Sequence, residues 1–399
     1  MSVTTTSTAA ISAAAAADDA LRTPTDVATL ADRLGRLADQ AGRIGADAIL
    51  IAPGADMRYF VGHSVGSHER FSCLAVTPDG RARLLVPLLE RPGWAGTPVE
   101  RLDLQISTWK DGEDPYSALT ALLPAGVTGL AVDDYLPAMH AIGMRDALPG
   151  SRLALVGAAI GELRMRKDAA EVAALAAVGA AIDRVQRRIG EWLRPGRTEH
   201  EVAADITEAL VQEGHSGADF VIVGSGPNGA SPHHEASDRV IQQGDPVVID
   251  IGGPSPAGYF SDCTRTYSVG APADPEFGRV YEIVRTAQAA GVAAAVAGAT
   301  CASADAAART VIERAGYGEY FVTRTGHGIG LEVHEHPYLV AGNEQPLEPG
   351  MTFSVEPGIY LPGRFGVRIE DIVVVDEAGA PRLLNNCPTE LTIVGDGTE

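Results

Sequence analysis

The sequence predicts two domains, an N-terminal α/β unit over residues 21–156 and a larger α+β unit over residues 157–399. Three observations lead there. The chain has 399 residues, enough for two domains at about 150 residues each. In its first part, the short apolar runs AILIA, FSCLAV, RLLVP and GLAVD are split by Gly, Pro and Asp turns, with helical stretches between some of them. In its second part, long Ala-rich helical segments share the chain with two pairs of strand-like runs. Apolar residues make up 45% and aromatics only 5%, so a sizeable core packs mainly on small and aliphatic side chains.

Taken in order, residues 1–20 are a low-complexity run of Ser, Thr and Ala, read as a disordered tail. No Lys or Arg precedes Arg22, so the charged start of a secretory signal is missing. The run AISAAAAA is too short and too weakly apolar to cross a membrane, and no later segment reads as transmembrane. From Val27 to Gly45, Leu30, Leu34 and Leu37 recur at helical steps. The domain boundary is placed near Gly157–Glu162. Lys167 to Leu193 reads as one long helix, ended by Pro195-Gly196. Thr198 with Glu201 forms a capping box that opens the next helix. VVIDIGG and SDCTRTYSV are a strand pair around the turn-rich PSPAG. Glu276 to Ala315 is helical by period, and TFSVEPGIY with GVRIEDIVVV makes a second strand pair around LPGRFG.

The net charge of −21 argues against nucleic acid and anionic membranes as partners, since both call for basic patches. Cys73, Cys263, Cys301 and Cys387 lie far apart with no CxxC spacing. That pattern fits a reducing cytoplasm better than a disulfide framework or a zinc knuckle. Cys263 neighbours Asp262, but in a strand it points to the opposite face and packs as an ordinary core residue.

Five potential metal ligands follow in order: Asp250 in VVIDIGG, Asp262 in YFSDCTRTY, His327 in TGHGIGLEVHEHP, Glu356 in FSVEPGIY and Glu370 in GVRIEDIVV. Four carboxylates and one imidazole suit a pair of hard divalent cations sharing a water, and suit a structural zinc poorly. Such a water is acidified toward hydroxide near neutral pH, which is what hydrolysis needs. Asp250 and Asp262 lie on two runs joined by a Gly/Pro turn, so a hairpin would set them opposite one another, Cβ atoms about 5 Å apart. Glu356 and Glu370 repeat the device. Arg368, two residues before Glu370, shares its face and is placed to orient a ligand carboxylate, with Thr264 a further candidate beside the site. Asp250, Glu356 and Glu370 each follow an apolar run, where an unpaired acid is rarely buried.

These blocks (DIGG…SDCTRT, GHGIGLEVHE, EPGIY and VRIED) resemble the metal-binding blocks of the pita-bread metallopeptidases, family M24, over roughly residues 160–395. The α/β domain in front, with APGADMRYFVGHSVGSHER, is similar to the prolidase and aminopeptidase P branch rather than to methionine aminopeptidase. The resemblance implies a creatinase/prolidase-like N-terminal domain and a pita-bread catalytic domain. It implies two metal ions, manganese before cobalt or zinc, with Asp250 on one metal, Asp262 and Glu370 bridging, and His327 and Glu356 on the other. It also implies that Glu356 moves the proton, and that His233 and His334 contact the substrate. His234 stands beside His233 and leaves a one-position ambiguity, with His233 preferred. His336 is a bystander.

Small proline-containing peptides, cut at the Xaa-Pro bond, are the implied substrates, and a cytoplasmic homodimer the implied state. Prolidase, cutting dipeptides, is preferred to aminopeptidase P, cutting longer peptides; Arg324, Arg364 and Arg368 are the candidates for holding a dipeptide's carboxylate. A non-catalytic pita-bread binding protein, or a metal-free hydrolase related to creatinase, would have lost ligands that are all present here. Two departures stand out. The spacing from Asp250 to Asp262 is one residue longer than usual in the family, an insertion the turn can absorb. Thr323 stands where the family often has a histidine, which puts that substrate contact in doubt.

Overall fold

The computed structural model describes residues 19, 21–22, 25–66 and 69–395. The disordered tail expected at residues 1–20 therefore lies, but for Asp19, outside the described residues. The chain divides into two compact units, one spanning Pro24–Arg164 and the other containing Met165–Glu399.

The first unit is built on a six-stranded sheet in the order β4-β3-β2-β1-β5-β6. Its strands are β1 (Ala48–Ile51), β2 (Cys73–Val76), β3 (Ala82–Pro87), β4 (Leu104–Trp109), β5 (Gly129–Val132) and β6 (Arg152–Leu155). β5 and β6 continue β1 in parallel, whereas β2 pairs with it antiparallel. β1 and β2 are buried at every position, as their unbroken apolar runs require. β4 and β6 were not visible as strands in the sequence. They are the edge strands, half-buried and mostly exposed respectively, so no apolar pattern marks them. Helix α1 (Val27–Ile44) starts on Asp26, which accepts from the amides of Ala28 and Thr29, and stops at Gly45 with φ +65°. Helices α2 (Ala55–Val61), α3 (Pro115–Leu122), α4 (Ala138–Ala147) and α5 (Gly157–Arg164) complete the unit.

The second unit layers helices outside and sheets inside. A four-stranded sheet runs β17-β9-β8-β7, from β7 (Phe220–Ser225), β8 (Pro246–Pro254), β9 (Phe260–Val269) and β17 (Thr392–Val394). A five-stranded sheet runs β11-β10-β12-β15-β16, from β10 (Gly326–Gly328), β11 (Glu335–Leu339), β12 (Thr352–Val355), β15 (Asp371–Val375) and β16 (Pro381–Leu383). β13 (Gly358–Leu361) and β14 (Phe365–Arg368) form a separate hairpin.

The stretch Lys167–Leu193 is not one helix. It is α6 (Ala169–Arg187) followed by a single turn, α7 (Ile189–Trp192). The capping box Thr198–Glu201 opens α8 (Glu199–Gln212). Glu276–Ala315 is likewise two helices, α9 (Phe277–Ala294) and α10 (Cys301–Arg314). Gly298, at φ +84°, turns the chain between them, and Thr300 caps the second. Ile182, Val185, Val202, Ile206 and Leu210 of the helices pack on Val247, Ile249, Ile251, Cys263 and Val269 of the sheet. Phe277, Val280, Val284 and Ile312 pack in the same way on Ile359, Phe365 and Val367. The sheet faces turned away from these cores are left for polar residues. No helix among the described residues is long and apolar enough to cross a membrane.

Candidate metal centre and active site

Period-two alternation assigns the faces. Val247, Ile249 and Ile251 of β8 enter the core, so Asp250 faces the other way; Cys263 of β9 enters the same core, so Asp262 does too. The register corrects one expectation. Asp250 stands opposite Thr264, and Asp262 opposite Gly252. The two carboxylates are diagonal neighbours, at a typical separation of about 7 Å, which leaves more room between them than direct opposition would.

The second ligand hairpin is in two pieces. Val355 stands opposite Asp371 in β12–β15, and Gly358 opposite Arg368 in β13–β14. The register is continuous across the gap, which sets Glu356 opposite Glu370. In the gap their amides leave the hairpin. Glu356 N–H donates to the Thr325 carbonyl (2.8 Å) and Glu370 N–H to the Thr264 carbonyl (3.1 Å). Each glutamate is thus tied beside another candidate ligand, Glu356 to the residue before β10 with its His327 and Glu370 to β9 with its Asp262.

His327 is the central residue of β10, between β11 and β12. Its flanking glycines are required by close approach: a Cβ on Gly326 would strike the Ser354 carbonyl, and one on Gly328 the His336 carbonyl. His327 Nδ1–H donates to the Gly328 carbonyl (3.1 Å), which turns Nε2 to the carboxylates, 3.0 Å from Glu356 and 3.6 Å from Asp262. Ser354 Oγ accepts from the His327 amide (3.0 Å) and donates to Glu356 (2.9 Å).

Behind the carboxylates runs a polar chain. Arg368 donates to Asp250 Oδ2 (2.6 Å), to Thr264 Oγ1 (3.1 Å) and to the Tyr360 hydroxyl (2.8 Å), and Thr264 Oγ1 donates to Glu370 Oε2 (2.7 Å). The other oxygens, Asp250 Oδ1 and Glu370 Oε1, are buried without a hydrogen-bond partner among the described residues. One ligand atom each of Asp262, His327 and Glu370 lies within 4.8 Å of the others. Burial, and then the charges of Glu370, Asp250 and Glu356, push the Asp262 carboxyl well above the usual range. Burial with Glu356 and Asp250 does the same to Glu370. Burial acts on Glu356 too, but the hydrogen bond and charge of His327, with Arg368, outweigh it and hold that carboxyl low. Carboxylates crowded in this way repel unless cations lie between them. The orphaned oxygens and the oxygen-rich donor set fit hard divalent ions.

These residues line a cleft with a cavity volume of about 740 Å³, together with His233, His234, Thr323, His334 and Tyr360. Thr264 lies behind Glu370 rather than in the lining. The His334 ring sits edge-on to His327, 4.2 Å between centroids. Burial, then the charges of His327 and Arg324, hold its pKa down to about 4. His234 Nε2 donates to Glu199 (2.7 Å), which ties that ring to the wall, while His233 is exposed in the cleft. His336 packs on Tyr338, outside the lining. Thr323 Oγ1 is buried without a hydrogen-bond partner among the described residues.

Of the three arginines considered for a substrate carboxylate, Arg364 pairs with Asp274 and Glu276, and Arg324 stacks over Tyr338. Neither lines the cleft. Arg368 does, but it is committed to Asp250. Among the described residues of the lining it is the only arginine, and there is no lysine. Sequence reasoning missed Ser354, Tyr360 and Glu199. The first two had a signal, lying two residues before and four after Glu356 in strand-like runs; Glu199 had none.

Residues 173–377 match the sequence model of metallopeptidase family M24, and residues 33–166 that of the creatinase/prolidase N-terminal domain. A probable dipeptidase PepE of Mycobacterium tuberculosis is 48% identical over 369 residues, covering 92% of this chain and 98% of that protein. A Xaa-Pro dipeptidase of Lactobacillus helveticus is 36% identical over 333 residues, covering 80% and 88%. The crystal structure of a recombinant prolidase from Thermococcus sibiricus aligns with a TM-score of 0.86 at 36% identity, covering 93% of this chain and all of that one. The pita-bread architecture expected for the second unit is the fold of these relatives.

Proposed function

The chain belongs to metallopeptidase family M24, with the creatinase/prolidase N-terminal domain in front, and from that premise we propose that it hydrolyses the Xaa-Pro bond, chiefly of Xaa-Pro dipeptides. The observation that carries the reading is the meeting of Asp250, Asp262, His327, Glu356 and Glu370 in one cleft, two of their buried oxygens lacking a hydrogen-bond partner among the described residues. These five would hold two divalent cations, manganese in the first place. When bound, the cations supply Lewis acidity for the scissile carbonyl and for the attacking water.

The side chains do the rest. Glu356 takes the proton of the attacking water and hands it to the prolyl nitrogen, which as a tertiary amide has no proton of its own. His233 and His334 stabilise the tetrahedral oxyanion or hold the proline side of the substrate. Arg368 and Thr264 fix Asp250 and Glu370 from behind. A cytoplasmic homodimer goes with this proposal.

The second reading, aminopeptidase P, is favoured by one observation: among the described residues, the cleft lining offers no uncommitted arginine or lysine to a dipeptide's carboxylate. Hydrolysis of Ala-Pro and Ala-Pro-Ala by manganese-loaded protein separates the two. Cleavage of the dipeptide alone supports a prolidase, and release of Ala from the tripeptide an aminopeptidase P. Cleavage of neither would sink both.

A further inference from the structure

Glu199, the first residue of α8, is completely buried. The helix does not need it as a cap, because Thr198 and Glu201 already close the amino end. Its carboxylate is turned instead to the segment Ser225–Ser237. Oε1 accepts from the Ser225 amide (2.7 Å), the Ser225 hydroxyl (2.6 Å) and Asn228 Nδ2 (3.1 Å). Oε2 accepts from Asn228 Nδ2 (3.1 Å), the Ser237 amide (3.1 Å), the Ser237 hydroxyl (2.6 Å) and His234 Nε2 (2.7 Å). Every one of these donors lies on the one segment that carries His233, and past the short 3-10 turn Gly226–Ala230 that segment has no helix or strand to hold it. A buried carboxylate is tolerated only where donors are aimed at it, so the carboxylate and the segment fix each other.

We propose that Glu199 is the positioning residue for His233: it gathers Ser225–Ser237 into one conformation and, by binding His234 Nε2, leaves His233 as the histidine of the pair that serves the substrate. This rests on the Xaa-Pro reading of the cleft. The test is a double-mutant cycle of Glu199→Gln and His233→Ala, read as kcat and KM on Ala-Pro with bound manganese measured alongside. Glu199→Gln keeps the shape but turns an amide donor toward donors. It is expected to lower kcat/KM at least about tenfold, with metal content unchanged, since small misplacements of a reacting-site group cost that much. The double variant is expected to be no worse than His233→Ala alone, within about twofold.

Multiplying effects, or unchanged kcat/KM in Glu199→Gln, would overturn the proposal while leaving the Xaa-Pro reading intact. A wild-type protein inert on Ala-Pro and on Ala-Pro-Ala would overturn that reading, and the proposal with it. Wild-type activity in His233→Ala would overturn the proposal at its premise. Should Glu199→Gln fail to fold, Ser237→Ala removes one donor of the same network and is expected to show a smaller loss with the same non-additivity.

Discussion

Arg368 and Thr264 hold two candidate-ligand carboxylates by one oxygen each and leave the other oxygen without a hydrogen-bond partner among the described residues. Replacing Arg368 by Met would leave Asp250 with no side-chain partner among the described residues. We expect manganese affinity and kcat/KM to fall about 10–100-fold, the usual effect of losing such a support, measured by metal titration of the stripped protein. A second buried group reports on stability. His215 bonds the Leu210 carbonyl and Ser261 Oγ, and burial holds its pKa down to about 4. Its unfolded value is about 6.5, so its neutral native form contributes fully above that pH. The contribution is lost as pH falls toward 4, because only the unfolded chain binds the proton, at up to about 1.4 kcal/mol per pH unit. Urea denaturation of the wild type should show this slope, and His215→Asn should flatten it. Among the candidate ligands, Asp250, Glu356 and Glu370 were legible at this scale because each follows an apolar run, and His327 because glycines flank it, whereas Asp262 was legible only beside them. Glu199 was not, because its donors lie 26 to 38 residues away in the chain.

At the scale of elements, period-two alternation gave the faces of β8 and β9 correctly but not their register. The five-residue connection Ser255–Tyr259 sets Asp262 two positions off Asp250's partner, and nothing in PSPAG announces that. The break at Glu356 and Glu370 was equally hidden, since the amides there bond strands distant in sequence. β10 has only the residues Gly-His-Gly, and no propensity marks it as a strand; it exists because two neighbours press on it. That pressure makes a prediction. Gly328→Ala must move the His336 backbone and with it His327. Overpacking of this kind costs about 1–3 kcal/mol, so a Tm lowered by several degrees, with reduced manganese binding, is the expected result. An unchanged Tm by scanning calorimetry would contradict the close approach.

For the whole molecule, the short apolar runs of the first part and the Ala-rich helices and strand pairs of the second were the signal for two units, each of which has its own core. The split of Glu276–Ala315 into two helices was obscured by alanine, which favours helix on both sides of the Gly298 turn. Metal and global stability should be linked. Asp262 and Glu370 have raised carboxyl pKa values when no cation shares the site. A raised acid stabilises the folded state below its unfolded pKa and loses that contribution as pH rises through the folded value. Stripped protein should therefore lose Tm as pH rises above the ordinary carboxyl range of about 4, and manganese should restore it most at the upper end. The most direct test of the account is proline release from Ala-Pro by stripped protein as manganese is titrated. Activity rising from none and levelling at two equivalents per chain is what the site predicts. Full activity without metal, or none with both equivalents bound, would contradict it.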